Sequence, residues 1–205
     1  HLDYHRSFRE YTAAKARLFA AQTSRDWAVV NKNDSRCVRI VKRTAAKPFF
    51  FGGKKPNHTF SIPTAYIEES FVRVMNANKD TVYANLAHTK LTGAHNAENI
   101  AAVCAIASIL TISPEAVEKA LTRFAPLPHR LEKVAEIKGV SFIDDSKATN
   151  VDAVKRALEQ FPDTATVFLI LGGKDKGISF LPLQDLINRK VRMLFVMGEA
   201  SPRIA

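Results

Sequence analysis

From residue 131 onward, apolar runs alternate with amphipathic ones at short, regular intervals. The runs at 131–137, 140–144, 166–171 and 191–197 have strand length, whereas 151–161 and 182–188 repeat apolar residues every three or four positions and predict helices. A strand, helix, strand, helix, strand order predicts a parallel sheet with right-handed crossovers. The first 125 residues are less regular. Ser7-Phe8-Arg9-Glu10 has the form of a capping box and predicts a helix over 7–22. Phe8, Tyr11, Leu18 and Phe19 form its apolar stripe, and Lys15 interrupts that stripe on the face expected to point inward. Strands are expected at 27–31, 38–41 and 71–75 and a long helix at 96–110; a further helix is capped by Ser113, with Pro114 at its first position. The stiff segment Phe124-Ala125-Pro126-Leu127-Pro128 ends that helix and divides the chain into domains at 1–125 and 126–205. The expected fold class is α/β throughout.

Composition narrows the class. The chain has 205 residues, 46% of them hydrophobic, enough to build packed cores. Its longest apolar stretch, 100–112, is interrupted by Ser108 and Thr111 and is shorter than the roughly 20 residues of a membrane span, so no membrane association is expected. The first ten residues lack the apolar core of a signal peptide, and the chain opens on His1; a fragment of a longer cytoplasmic protein is the expectation. Cys37 and Cys104 have no metal-ligand spacing and are expected to be reduced. The net charge of +10 is concentrated between Lys32 and Lys55, where eight lysines and arginines face only Asp34. No nucleic-acid-binding motif accompanies them, and Phe49, Phe50 and Phe51 are contiguous rather than spaced as stacking platforms, so no nucleic acid is expected. A solvated surface or a polyanionic nucleotide substrate suits the charge.

The candidate chemistry lies on two loops that each follow an apolar run: Asp144-Asp145-Ser146-Lys147-Ala148-Thr149-Asn150 and Gly172-Gly173-Lys174-Asp175-Lys176-Gly177. Loops at the carboxyl ends of neighbouring strands face one crevice in an open α/β sheet, and two lysines with an acid there suit an anionic ligand. The first loop, preceded by Leu127-Pro128-His129-Arg130-Leu131-Glu132 and followed by the second, resembles the C-terminal domain of the Mur ligases that add D-glutamate during peptidoglycan synthesis. His95-Asn96-Ala97-Glu98-Asn99, His1-Leu2-Asp3 and Ala13-Ala14-Lys15 resemble the second half of that family's central ATPase domain. Blocks in the family's order are together far more specific than any one of them.

The resemblance implies a partial central ATPase domain at 1–125 and a truncated, Rossmann-like C-terminal domain at 126–205. It implies a cytoplasmic, monomeric ligase whose substrates are ATP, UDP-N-acetylmuramoyl-L-alanine and D-glutamate. In the implied reaction ATP phosphorylates the carboxylate of the UDP substrate, and the amine of D-glutamate attacks the resulting acyl phosphate. Opposed negative charges require Mg2+ and lysines at such a site. Lys15 matches a lysine that is carbamylated to help hold magnesium, and His1 matches a magnesium ligand. A buried lysine with a depressed pKa is the form that reacts with carbon dioxide; a stem packed on the stripe with its ammonium in water is the alternative. Asn99 matches an adenine contact and Arg130 an ATP-reaching arginine. Asp145 and Lys147 match contacts to ribose and phosphates, with Lys147 counted as catalytic beside Lys15, and Thr149 and Lys176 match contacts to D-glutamate. Asn150 and Asn96 also read as helix caps. Asp144 stands where the family often has asparagine and is assigned no catalytic role. No Gly-x-x-x-x-Gly-Lys-Ser/Thr phosphate loop occurs in the chain, so the fragment alone is expected to be inactive. Two alternatives remain: a folylpolyglutamate synthetase or another Mur ligase, and a noncatalytic basic binding module.

Overall fold

The structure is a computed structural model that describes residues 5–56, 62–77 and 79–205. It divides after Ala125 into two compact units. In the first unit, α1 (Phe8–Ala20), β1 (Trp27–Asn31), α2 (Ser35–Val41), β2 (Lys47–Phe51), β3 (Thr64–Glu68), β4 (Phe71–Asn76) and β5 (Lys79–Asn85) precede α3 (Ala94–Ile109) and α4 (Pro114–Arg123). The five strands form one sheet in the order β1-β2-β3-β4-β5. Pairing is parallel from β1 to β3 and antiparallel from β3 to β5.

Alternation along the strands explains why helices lie on both faces of this sheet. Ala28, Val30 and Phe50 join a cluster with Val41, Cys37 and Phe19 on the side of α1 and α2. Val29, Phe49 and Phe51 point the other way, into the main core with Ile100 and Cys104 of α3 and Val117 of α4. Three consecutive phenylalanines are thus the mark of a parallel strand covered on both faces, which carries no polar alternation. The small residues Ala101, Ala105 and Ala107, all buried, let α3 lie close against the sheet.

Several boundaries differ from expectation. Residues 38–41 are not a strand: they end α2, because the Asp34 carboxylate accepts the N–H groups of Arg36 and Cys37 and starts a helix there. A run of four apolar and basic residues fits either period, and the cap decides. Strands β2, β3 and β5 were not expected, and Pro48 and the unalternated phenylalanines concealed the first of them. The helix expected over 96–110 starts at Ala94, so Asn96 lies within its first turn rather than capping it; its Nδ2 donates to the Thr92 carbonyl at 2.8 Å. Ser7 and Ser113 do cap their helices, accepting from the N–H groups of Glu10 and Ala116.

The second unit contains β6 (Glu132–Ile137), β7 (Val140–Asp144), α5 (Val151–Glu159), β8 (Val167–Gly172), α6 (Gln184–Lys190), β9 (Val191–Met197) and α7 (Ser201–Ile204). The single parallel sheet expected here is realised only by β8 and β9. β6 and β7 form an antiparallel hairpin, and among the described residues neither pairs with β8. The hairpin turns on Lys138 and Gly139, both with positive φ (51° and 79°), the backbone that a two-residue turn between twisted strands requires. Val154 and Leu158 of α5 pack with Leu183, Leu186 and the inward residues Val167, Leu169 and Leu171 of β8. Among the described residues, no helix is long and apolar enough to cross a membrane.

Candidate functional site

In the second unit the two motifs flanking the hairpin are bonded to each other. Asp144 closes β7, and its carboxylate takes the Nδ1 of His129 at 2.7 Å and the N–H of Ser146 at 2.8 Å. The His129 bond first, and then Ser146, holds the Asp144 carboxyl down at about 2. The same bond raises the His129 imidazole above its ordinary value. The next acid, Asp145, accepts the N–H of Leu131 at 3.1 Å, and the N–H of Lys147 donates to the His129 carbonyl at 3.1 Å. Arg130 is exposed between two residues with left-handed backbone, His129 at φ 63° and Leu131 at φ 47°. The Asn150 side chain accepts the N–H of Ala153 at 2.8 Å and caps α5.

The second candidate loop is built where β8 and β9 end. A Cβ on Gly172 would lie 1.9 Å from the Met197 carbonyl oxygen, so the close approach of the two strand ends requires glycine. Beyond it Asp175 caps the turn at Gly177, with its Oδ1 2.8 Å from that N–H, and takes Arg203 of α7 at 2.9 Å. The Gly177 and Arg203 bonds outweigh the effect of burial and hold the Asp175 carboxyl below its usual range. Sequence reasoning missed Arg203, which had no motif around it. Lys176 is exposed, and its Nζ is 3.4 Å from the Thr149 carbonyl oxygen. The loops after β7 and β8 therefore meet even though those strands do not pair. Lys147 and Thr149 are also exposed.

In the first unit the structure separates the expected groups. Lys15 is exposed, and α1 buries none of its residues. The helix turns Phe8, Thr12, Ala16 and Phe19 toward Ile40 and Arg43 of the α2 segment across a pocket of about 660 Å³. Lys15 and Leu18 lie off that face, which corrects the inward placement expected from the stripe, and Lys15 Nζ lies over the Tyr11 ring, 5.7 Å from its centroid. His1 is outside the described residues. An ammonium is not a magnesium ligand, so Lys15 would hold the ion only as a carbamate, whose oxygens are the hard donors that magnesium takes. Asn99 is exposed on α3, one turn beyond Asn96. Beside it, the unpredicted Glu98 accepts from Asn31 at 3.1 Å and from Asn33 at 2.8 Å, fixing α3 to the carboxyl end of β1. Distance in sequence hid that cluster.

His129, Glu132 and Asp144 place one nitrogen and two carboxylate oxygens within 4.8 Å of one another. Those atoms are engaged within the cluster, since the Glu132 carboxylate accepts the His129 N–H at 2.7 Å and Asp144 holds Nδ1. The arrangement is a clamped turn presenting an arginine, acids and lysines, suited to phosphate and carboxylate groups.

A sheet covered on both faces, followed by a unit whose strand-end loops carry acids and lysines, makes an α/β architecture in two units. Residues 1–107 match the Mur ligase middle domain, and residues 129–205 match the Mur ligase, glutamate ligase domain. The chain belongs to the Mur ligase family. It is 41% identical over 208 residues to the UDP-N-acetylmuramoylalanine–D-glutamate ligase of Acidobacterium capsulatum, and 37% identical over 204 residues to that of Koribacter versatilis. Each match covers 100% of this chain, and the chain spans 43% and 44% of those two proteins. In fold it resembles MurF from Acinetobacter baumannii, with a TM-score of 0.72 at 17% identity over 99% of this chain and 45% of that one. It also resembles the apo form of L. casei FPGS, with a TM-score of 0.58 at 14% identity over 96% of this chain and 47% of that one.

Proposed function

We propose that these residues belong to a cytoplasmic, monomeric ligase that joins D-glutamate to UDP-N-acetylmuramoyl-L-alanine at the expense of ATP, in the synthesis of peptidoglycan and hence in cell shape and division. The observation that carries this reading is the direct bonding of the His129-Arg130 turn to the Asp145-Ser146-Lys147 loop in a chain whose whole length matches D-glutamate ligases. In the proposed reaction a carboxylate oxygen of the UDP substrate attacks the γ-phosphorus and ADP leaves. The D-glutamate amine then attacks the acyl carbonyl, phosphate leaves and the amine loses its proton. Both steps develop negative charge, which fixed cationic groups and N–H donors stabilise.

Arg130, Asp145 and Lys147 are assigned to the nucleotide, with Lys147 facing the phosphates, and Asn99 to the adenine. Thr149 and Lys176 are assigned to D-glutamate, a role that suits a lysine held beside a strand-end loop. Lys15, as a carbamate, and His1 are assigned to magnesium, which supplies charge neutralisation when bound. Exposure of Lys15 leaves its amine open to carbon dioxide. The reading is tested in a full-length ligase carrying these residues by comparing apparent KM values for ATP and D-glutamate in Arg130→Ala and Lys176→Ala. A rise for ATP in the first and for D-glutamate in the second is expected; the reverse would reassign both loops.

A further inference from the structure

We infer that Asp144 is a positioning residue for nucleotide binding: through His129 it clamps the left-handed turn that presents Arg130 against the loop carrying Asp145. The inference rests on the assignment of Arg130 and Asp145 to the nucleotide and adds to it a residue that contacts no substrate.

Three observations support it independently of motif matching. The turn is costly, because left-handed backbone at two non-glycine residues, His129 and Leu131, persists only where surrounding contacts over-determine it. Beside the Glu132 carboxylate, which takes the His129 N–H within the turn, three contacts tie the turn to the 144–147 segment. His129 Nδ1 meets Asp144 at 2.7 Å, the His129 carbonyl accepts Lys147 N–H at 3.1 Å, and Leu131 N–H donates to Asp145 at 3.1 Å. Finally, Asp144 is itself held, its second oxygen taking the Ser146 N–H at 2.8 Å, so it cannot rotate away without releasing the loop. Arg130 has left-handed neighbours on both sides, so loosening the His129 end redirects its side chain.

The clamp is sensitive to pH. The charged groups facing the His129 imidazole are Asp144 at the end of β7, Glu132 at the start of β6 and Lys147 on the following loop. The two acids favour the imidazolium and Lys147 opposes it, with Asp144 dominant, and the net effect is upward. As pH rises through this raised value, His129 loses its charge, its bond to the Asp144 carboxylate loses the ion-pair attraction and weakens, and the turn is less firmly held.

The test uses a full-length ligase carrying these residues, with Asp144→Asn and His129→Gln as variants. NMR titration of the histidine Cε1–H signals is expected to show His129 titrating above the ordinary value of about 6.5 in the parent and near it in Asp144→Asn. ATP affinity, measured by calorimetry without the other substrates, is expected to fall with rising pH through the His129 transition in the parent. In Asp144→Asn, whose amide oxygen still accepts from Nδ1–H, it should be weaker by about fivefold, the difference between a charge-assisted hydrogen bond and a neutral one, and lack that transition. His129→Gln should resemble Asp144→Asn, with the double variant no worse than either, and the apparent KM for D-glutamate should change by less than about twofold in all three. An unperturbed His129, equal pH profiles for ATP in parent and Asp144→Asn, or additive losses in the double variant would overturn the inference. D-glutamate-dependent turnover is measured separately: its absence beside pH-dependent ATP binding would sink the proposed reaction and leave the clamp standing.

Discussion

The ammonium of Lys176 lies 3.4 Å from the backbone carbonyl of Thr149, joining the loops that follow β8 and β7. A lysine held this way can exchange a weak, solvent-exposed bond for a substrate carboxylate without moving far. Lys176→Ala in a full-length ligase is therefore expected to raise the apparent KM for D-glutamate by about ten- to a hundredfold, the 1.5–3 kcal/mol of a hydrogen bond to a charged group. Steady-state kinetics with each substrate varied in turn checks this. A shift confined to ATP would give the loop to the phosphates instead.

Gly172→Ala should destabilise the second unit by roughly 1–3 kcal/mol, the usual cost of forcing extra volume into a packed contact. The added methyl would meet the Met197 carbonyl oxygen at 1.9 Å, a backbone atom that cannot swing aside. Thermal unfolding of the 205-residue chain reads the effect. A melting temperature equal to the parent's would mean the β8 and β9 ends separate freely.

Tyr66 is fully buried, and its hydroxyl donates to Asp80 at 2.7 Å, with Arg73 on the other carboxylate oxygen at 3.2 Å. Burial works to raise the Asp80 pKa, but the two hydrogen bonds prevail and its value is lowered. A carboxyl with a lowered folded pKa contributes stability that is present above its unfolded value of about 3.9 and lost as pH falls through the folded one. Tyr66→Phe should therefore cost about 0.5–1.5 kcal/mol near neutral pH and move acid unfolding of the first unit to higher pH. Denaturant titrations across the acid range would show both effects, and an unchanged acid midpoint would contradict the account.

Lys15 is exposed on a helix that buries none of its residues, so Lys15→Ala should change stability by less than about 0.5 kcal/mol. In a full-length ligase the same substitution is expected to remove most activity, and formate to restore part of it by supplying carboxylate oxygens in place of the carbamate. Lys15→Arg should not recover, since guanidinium cannot become a carboxylate. Full activity in Lys15→Ala would remove the carbamate from the account.

The α/β class was readable because long periodic segments such as α3 and α5 carry their period in many residues. Ser7 and Ser113 were readable as caps because capping is local chemistry. What escaped was decided by pairing at a distance. Phe49, Phe50 and Phe51 looked like an unpatterned run until β1 and β3 flanked them, and the 131–144 segment looked like two strands of a parallel sheet until Lys138 and Gly139 folded it into a hairpin. The site divided in the same way. The loop residues Asp145 to Lys176 stood out by motif, whereas Asp144's bond to His129, Arg203's to Asp175 and Glu98's to Asn31 join positions 15, 28 and 67 residues apart that no local pattern links. For Lys15 the stripe misled: Phe8 and Phe19 belong to the packed face, but Leu18, 68% exposed, does not.

The most direct test is phosphate release from ATP by a full-length ligase carrying these residues, with UDP-N-acetylmuramoyl-L-alanine present and D-glutamate added or withheld. Release that requires both D-glutamate and the UDP substrate, and that L-glutamate does not support, is the expected result. Release that ignores D-glutamate, or that instead requires a folate and L-glutamate, would contradict the account.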